Sequence, residues 1–136
     1  MKVLNKVQRT AEDFEALLDL AIEGPVTMVH LLKFKARAAY ADGRETELTG
    51  AEAYGLYRRK MVERVTSAGG RLVLSGIAKH LVLGEVEELW DEVLVVEFPS
   101  KETFVEVISS PEIAEWGVHR RAGLAGQLLI ATTAQD

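Results

Sequence analysis

The chain has 136 residues, no cysteine and a formal net charge of −5, its 16 Lys and Arg scattered among 21 Asp and Glu. That is one domain's worth of protein, able to bury roughly two-thirds of its unfolded surface and so to fold without a staple or a metal. The composition excludes thiol catalysis, disulfides and thiolate metal sites, suits a reducing cytoplasm, and lacks the basic stripe that nucleic-acid binding requires.

No apolar run approaches the length of a membrane span. The basic residues of the first nine positions are not followed by the apolar stretch of a signal peptide. Thr10 reads as a helix N-cap, with Asp13 three residues on and Phe14, Leu17, Leu18 and Ala21 at helical spacing, so a helix is predicted over residues 10–23. Gly24-Pro25 ends it. Residues 26–35 then read as a strand with Val26, Met28, His30, Leu32 and Phe34 on one face and Thr27, Val29, Leu31 and Lys33 on the other. Apolar side chains on both faces predict that both are covered.

Residues 36–48 form a polar connection around Asp42-Gly43, expected to be mobile and a candidate contact for a protein partner. Thr49 and Glu52 make a capping-box pattern for a helix reaching about Ala68, with Tyr54, Tyr57, Met61 and Val65 along its stripe. Gly69-Gly70 closes it through the left-handed conformation that glycine accepts. A long strand is predicted over residues 71–83, bulged at Gly76, then a turn at 84–87 and a strand over 89–98. The acidic cluster Glu85, Glu87, Glu88, Asp91 and Glu92 reads as a solvated hairpin. Ser100 caps a helix through Ile108, Ser110-Pro111 opens another bearing Ile113, Trp116 and His119, and residues 127–132 form a short last strand.

With the first helix set apart, residues 25–132 run β-α-β-β-α-β inside a single domain of residues 1–136. This is the α+β, ferredoxin-like pattern, in which two helices cover one face of a four-stranded antiparallel sheet. The second face is too apolar to stay wet, which predicts an interaction surface and a symmetric homodimer formed through it.

Several strings are familiar in their order along the chain. They are Gly24-Pro25-Val26-Thr27-Met28-Val29-His30-Leu31-Leu32-Lys33-Phe34, Glu52-Ala53-Tyr54 with Tyr57, Gly69-Gly70-Arg71 and Trp90-Asp91. Glu97-Phe98-Pro99-Ser100, Ser110-Pro111-Glu112, and Arg120 ahead of Leu124 complete the set. From about residue 10 to residue 130 the chain resembles a bacterial family of unknown function, the one numbered thirteen-thirty, within the dimeric α+β barrel superfamily. It departs from the family at His30, where Asn is frequent, and at Ile113, where Tyr is. The resemblance implies a dimeric α+β barrel and no particular reaction. The superfamily spans cofactor-free monooxygenases, polyketide cyclases, muconolactone-type isomerases and haem proteins, and fold alone does not choose among them. In several of those relatives the ligand cavity lies between sheet and helices.

The candidate catalytic residues are His30, Tyr54 and Glu97. A histidine titrates near neutral pH and can move a proton, although one in mid-strand also reads as a core side chain with a hydrogen-bond partner. Tyr54 and Tyr57 lie one helical turn apart and can donate to an oxyanion; they read first as core rings with wet tips. Glu97 on an apolar strand needs a partner or becomes a base, and Arg120 is the partner to test. Tyr57, Trp90, His119 and Arg120 form the candidate substrate-binding set, although Trp90-Asp91 reads first as a packing element. No cofactor is expected. No metal is expected either, since His30, His80 and His119 show none of the spacings that put two ligands on one face. Two functions follow: a cofactor-free enzyme acting on a small oxygenated or aromatic molecule, or a non-catalytic structural or ligand-binding dimer.

Overall fold

A computed structural model describes residues 1–135. Local chemistry sets the ends of its helices. Thr10 and Thr49 both make complete capping boxes: each hydroxyl accepts from the backbone N–H three residues on, and that residue's carboxylate accepts in return. They open α1 (Ala11–Asp19) and α2 (Gly50–Ser67). At the far end of α2, Gly69 takes a φ of 89°, and the N–H groups of Gly69 and Gly70 donate to Thr66 and Val65 in a Schellman closure.

α1 stops at Asp19, short of residue 23. No residue within it is buried, so packing does not extend it. Lys101 instead donates to the free carbonyls of Leu18 and Leu20 at 2.7 and 2.8 Å. After β1 (Val26–Phe34), residues 36–48 contain no helix or strand, yet they are tied down. Ala38 N–H donates to Leu48, Ala39 N–H donates to Ala122, and Tyr40 packs in a small satellite core with Ala53 and Ala122.

β2 (Arg71–Ile77) ends six residues before Leu83, and β3 (Glu92–Phe98) begins three residues after Leu89. Both boundaries meet at Asp91. Its N–H donates to Leu32, its carbonyl accepts from Ala78 N–H at 2.9 Å and its carboxylate accepts from Phe34 N–H at 2.8 Å, so the pairing on both sides of β3 runs as far as Asp91. The register shift in β2 falls at Val73, between Leu72 and Leu74, rather than at Gly76. α3 (Lys101–Ile108) and α4 (Pro111–Gly123) follow, and α4 runs directly into β4 (Leu124–Thr132), three residues earlier than the alternation suggests.

The sheet has the order β2-β3-β1-β4 and is antiparallel throughout. That is the ferredoxin-like arrangement, with α1 added. One face carries Val26, Met28, Leu32, Leu94, Val96 and Phe98, all buried against Tyr54, Met61, Val65, Phe104 and Val107 of the helices. α2 and α4 meet at Gly50 and Gly123, where a Cβ on either would run into the other's backbone carbonyl.

The expected barrel is not formed. β2 and β4 lie at opposite margins with no ladder between them, so the sheet is open. Four strands are too few to curl around a filled interior, for which about eight are needed. The uncovered face is ordered in rows across all four strands. Leu74, Val95, Val29 and Ile130 form an apolar row; Gly76, Val93, Leu31 and Leu128 form the next; Arg71, Glu97, Thr27 and Thr132 form a polar margin.

Candidate functional site

The parity of β1 decides where His30 points. It shares the face of Met28 and Leu32, so its ring lies under the helices and not on the open face. Nδ1 lies 3.0 Å from the Leu94 carbonyl of the neighbouring strand. A carbonyl only accepts, so Nδ1 bears the proton and Nε2 keeps a free lone pair. Burial pushes the imidazole down to about 4, with the Leu94 hydrogen bond opposing and the nearby Arg120 charge reinforcing the shift. His30 is therefore neutral across the physiological range.

Tyr54 and Tyr57 lie on the buried stripe of α2, their ring centroids 5.5 Å apart, and Tyr54 also packs against Phe34 at 5.4 Å. Burial raises both phenols, Tyr54 far above the usual range, so both stay protonated. Arg120 projects from α4 into their neighbourhood and donates to Gln127 Oε1 at 2.7 Å. Burial lowers its pKa, against the pull of Tyr57 and Tyr54, and Arg9 and Arg121 lower it further. No carboxylate figures among its neighbours: among the described residues, no Asp or Glu lies within ion-pairing distance of it. A half-buried guanidinium held only by a neutral amide is uncommon, because burying a charge is costly without a counter-charge.

Arg120 and Gln127 open onto a cavity of about 380 Å³. Its floor is the helix-covered face of the sheet, through Met28, Leu129 and Ala131, and Phe104 of α3 forms a side. The outer wall is the N-terminal segment with α1, which contributes Lys6, Arg9, Asp13 and Leu17. That segment is moored to the sheet edge by Lys6 N–H donating to Gln127 O and by Trp90 Nε1–H donating to Asn5 Oδ1 at 2.8 Å.

The candidate residues thus separate into groups. His30, Tyr54, Tyr57 and Arg120 come together beneath the helices, with Arg120 on the cavity wall. Trp90 holds the N-terminal segment in place. His119 bonds the Tyr40 hydroxyl at 2.6 Å, 5.4 Å from the Trp116 ring, and pins the 36–48 connection to α4. Glu97 lies on the opposite face of the sheet and pairs with Arg71 at 3.1 Å, not with Arg120. The carboxylate on the helix side of β3 is Glu92, buried and paired with Arg58. Its parity with Leu94, Val96 and Phe98 was the signal, hidden because both parities of that strand are apolar. Gln127 had no signal beyond being a polar residue at the start of an apolar strand. Among the described residues, no three His, Cys, Asp or Glu side chains cluster as a metal site would need, and no helix is long and apolar enough to cross a membrane.

Residues 30–134 match the family model described as a domain of unknown function, DUF1330. The chain belongs to that family. Within this DUF1330 chain the match takes in His30, Tyr54, Arg120 and Gln127, whereas Lys6, Arg9 and Asp13 of the outer wall precede it. Two crystal structures of the RPA0582 protein are similar along nearly the whole chain. One, of the methylated protein, has 36% identity, covers 97% of this chain and 96% of its own, and has a TM-score of 0.88. The other, of a protein of unknown function from Rhodopseudomonas palustris, has 33% identity, covers 98% and 99%, and has a TM-score of 0.87. SnoaB, a cofactor-independent oxygenase from Streptomyces nogalater, shares the fold at 17% identity, with 84% and 96% covered and a TM-score of 0.52. No curated protein matches the chain.

Proposed function

We propose that the protein binds a small, partly apolar, oxygenated molecule in the cavity between sheet, helices and N-terminal segment. The observation that carries this reading is Arg120, a guanidinium with no carboxylate paired to it, on the wall of a chamber lined by both apolar and polar side chains. Arg120 would hold an anionic oxygen of the ligand, with Gln127 fixing the fork of the guanidinium. His30, Tyr54 and Tyr57 stand behind Arg120 and do not line the cavity, so the ligand would meet the guanidinium and not these groups. A guanidinium on the wall suits a carboxylate or enolate oxygen, and the enzymatic version of this reading is a cofactor-free monooxygenase, cyclase or isomerase. SnoaB, a cofactor-independent oxygenase, is a precedent for an enzyme on this fold.

One observation favours a non-catalytic alternative. His30, held at about 4, is a weak base at neutral pH, where a general base works best near pH 7. In either version we expect a second copy to cover the apolar rows of the open face, which are bounded by the polar margin of Arg71 and Glu97 as protein interfaces commonly are. Sedimentation of the wild type against Val29→Lys reads that pairing; a monomeric wild type removes it from the account.

The test of the binding reading is a thermal-shift and absorbance screen with hydroxylated aromatic and polyketide-like acids, Arg120→Met serving as control. Stabilisation lost in the control supports the cavity as the site. Ligand-dependent absorbance change beyond binding supports an enzyme; binding without turnover supports the alternative. If every acid leaves the melting temperature unmoved, the reading fails.

A further inference from the structure

The charge on the cavity wall says more about the ligand than the presence of Arg120 does. Three cations face this space: Arg120 at the inner wall, and Lys6 and Arg9 on the N-terminal segment that closes the outer side. One carboxylate faces them, Asp13, and it is already engaged. Its Oδ2 accepts from Thr10 N–H at 2.9 Å in the capping box, and that hydrogen bond, with the Thr10 hydroxyl and the positive charges of Lys6 and Arg9, holds its carboxyl below the usual range. Asp13 is thus ionised and occupied, and the chamber keeps a surplus of two positive charges. Among the described residues, none of the three cations forms a salt bridge with an acidic side chain.

The two groups of cations belong to different parts of the chain. Arg120 comes from α4, within the residues that match the family; Lys6 and Arg9 come from the segment ahead of them. The mooring of Lys6 to Gln127 through the backbone brings that segment to the same strand that positions Arg120, so inner and outer charges face one ligand volume. Between them the lining is apolar, through Val7, Leu17, Met28 and Phe104.

We propose that the ligand is a dicarboxylate with an apolar body, one carboxylate held by Arg120 and the other received by Lys6 and Arg9. This rests on the binding reading above and narrows it. Arg120 supplies a planar, bidentate fork for the first carboxylate inside the chamber. Lys6 and Arg9, whose side chains are exposed, supply a screened attraction for the second at the mouth. The N-terminal segment is then a specificity element, selecting diacids over monoacids of the same body.

Isothermal titration of the full chain with benzoate, isophthalate and terephthalate tests this at low and high salt. A diacid should bind about tenfold more tightly than benzoate at low salt, with the advantage shrinking as salt rises. The double variant Lys6→Met, Arg9→Met should bind the diacids no more tightly than it binds benzoate. Both replaced side chains are exposed, and an unchanged unfolding midpoint verifies that the fold is intact. Arg120→Met should abolish binding of all three. If benzoate and the diacids bind alike, or the double variant keeps the full diacid advantage, the dicarboxylate assignment is wrong and the cavity reading survives. If the wild type binds none of them, the assignment is overturned, and the broader acid screen then decides separately whether the cavity binds anything.

Discussion

Two arginines approach Tyr54 from different helices, and they sit in opposite electrostatic surroundings. Arg58 lies on α2, one turn beyond Tyr54, with its guanidinium 5.3 Å from the tyrosine ring. It is paired through both of its hydrogen bonds to the carboxylate of Glu92, which is buried on the helix side of β3. Arg120 comes from α4, and its side chain donates to the amide oxygen of Gln127. The first is a closed account: charge, counter-charge and hydrogen bonds are all internal to the fold. The second leaves a positive charge without a partner beside an open chamber. Folding alone has no use for such a charge, so the contrast separates a residue that holds the structure from one that waits for a ligand.

The largest expected effect breaks the closed side. Glu92→Ala strands the Arg58 guanidinium under the helices, and removal of one partner of a buried pair costs about 4 kcal/mol, somewhat less where water still reaches the arginine. Denaturant unfolding would read this; a loss under about 1 kcal/mol would mean that Arg58 simply turns to solvent.

Next comes His30, beside Arg120. Its folded pKa of about 4 lies below the value near 6.5 of an unfolded chain, so the unfolded state takes up the proton first as pH falls. Stability from this group is complete above pH 6.5, falls as pH drops through the window, and is fully lost below about 4, a total on the order of 3 kcal/mol. His30→Asn should flatten that slope between pH 4 and 6.5. A variant with the wild-type slope would show that other groups produce it.

A smaller effect sharpens the geometry. Gly50→Ala forces a methyl group into the backbone of Lys35 and of Gly123, at the point where the helix of Arg58 meets the helix of Arg120. Overpacking of this kind costs about 2 kcal/mol. Because the strain moves α4 relative to α2, ligand affinity should fall along with stability; unchanged affinity would mean that Arg120 is positioned by β4 alone.

The fold was legible where chemistry is local. Thr10 with Asp13, Thr49 with Glu52, and Gly69-Gly70 mark helix ends by hydrogen bonds that span a few residues, and they lie where the sequence places them. The ends of β2 and β3 were not legible, because the pairing closes at Asp91 through contacts with Leu32, Phe34 and Ala78, all distant in sequence. The same limit governs the site. His30 and Arg120 stand out as polar residues in apolar surroundings, but the pairing of Arg120 with Gln127, and of Glu97 with Arg71, is decided by strand parity that two apolar faces conceal. Lys6 and Arg9 carry no periodic signal at all, and long-range contacts, the bridge from Lys6 to Gln127 and the bond from Trp90 to Asn5, bring them to the cavity.

The central claim is that Arg120 serves a ligand and not the fold, and the unfolding free energy of Arg120→Met measured beside that of Glu92→Ala tests it most directly. The account predicts that Arg120→Met stays within about 1 kcal/mol of the wild type, or exceeds it, because an unpartnered charge has been replaced by an apolar chain of similar length. A loss of several kcal/mol, matching that of Glu92→Ala, would contradict it and place Arg120 among the groups that hold the structure together.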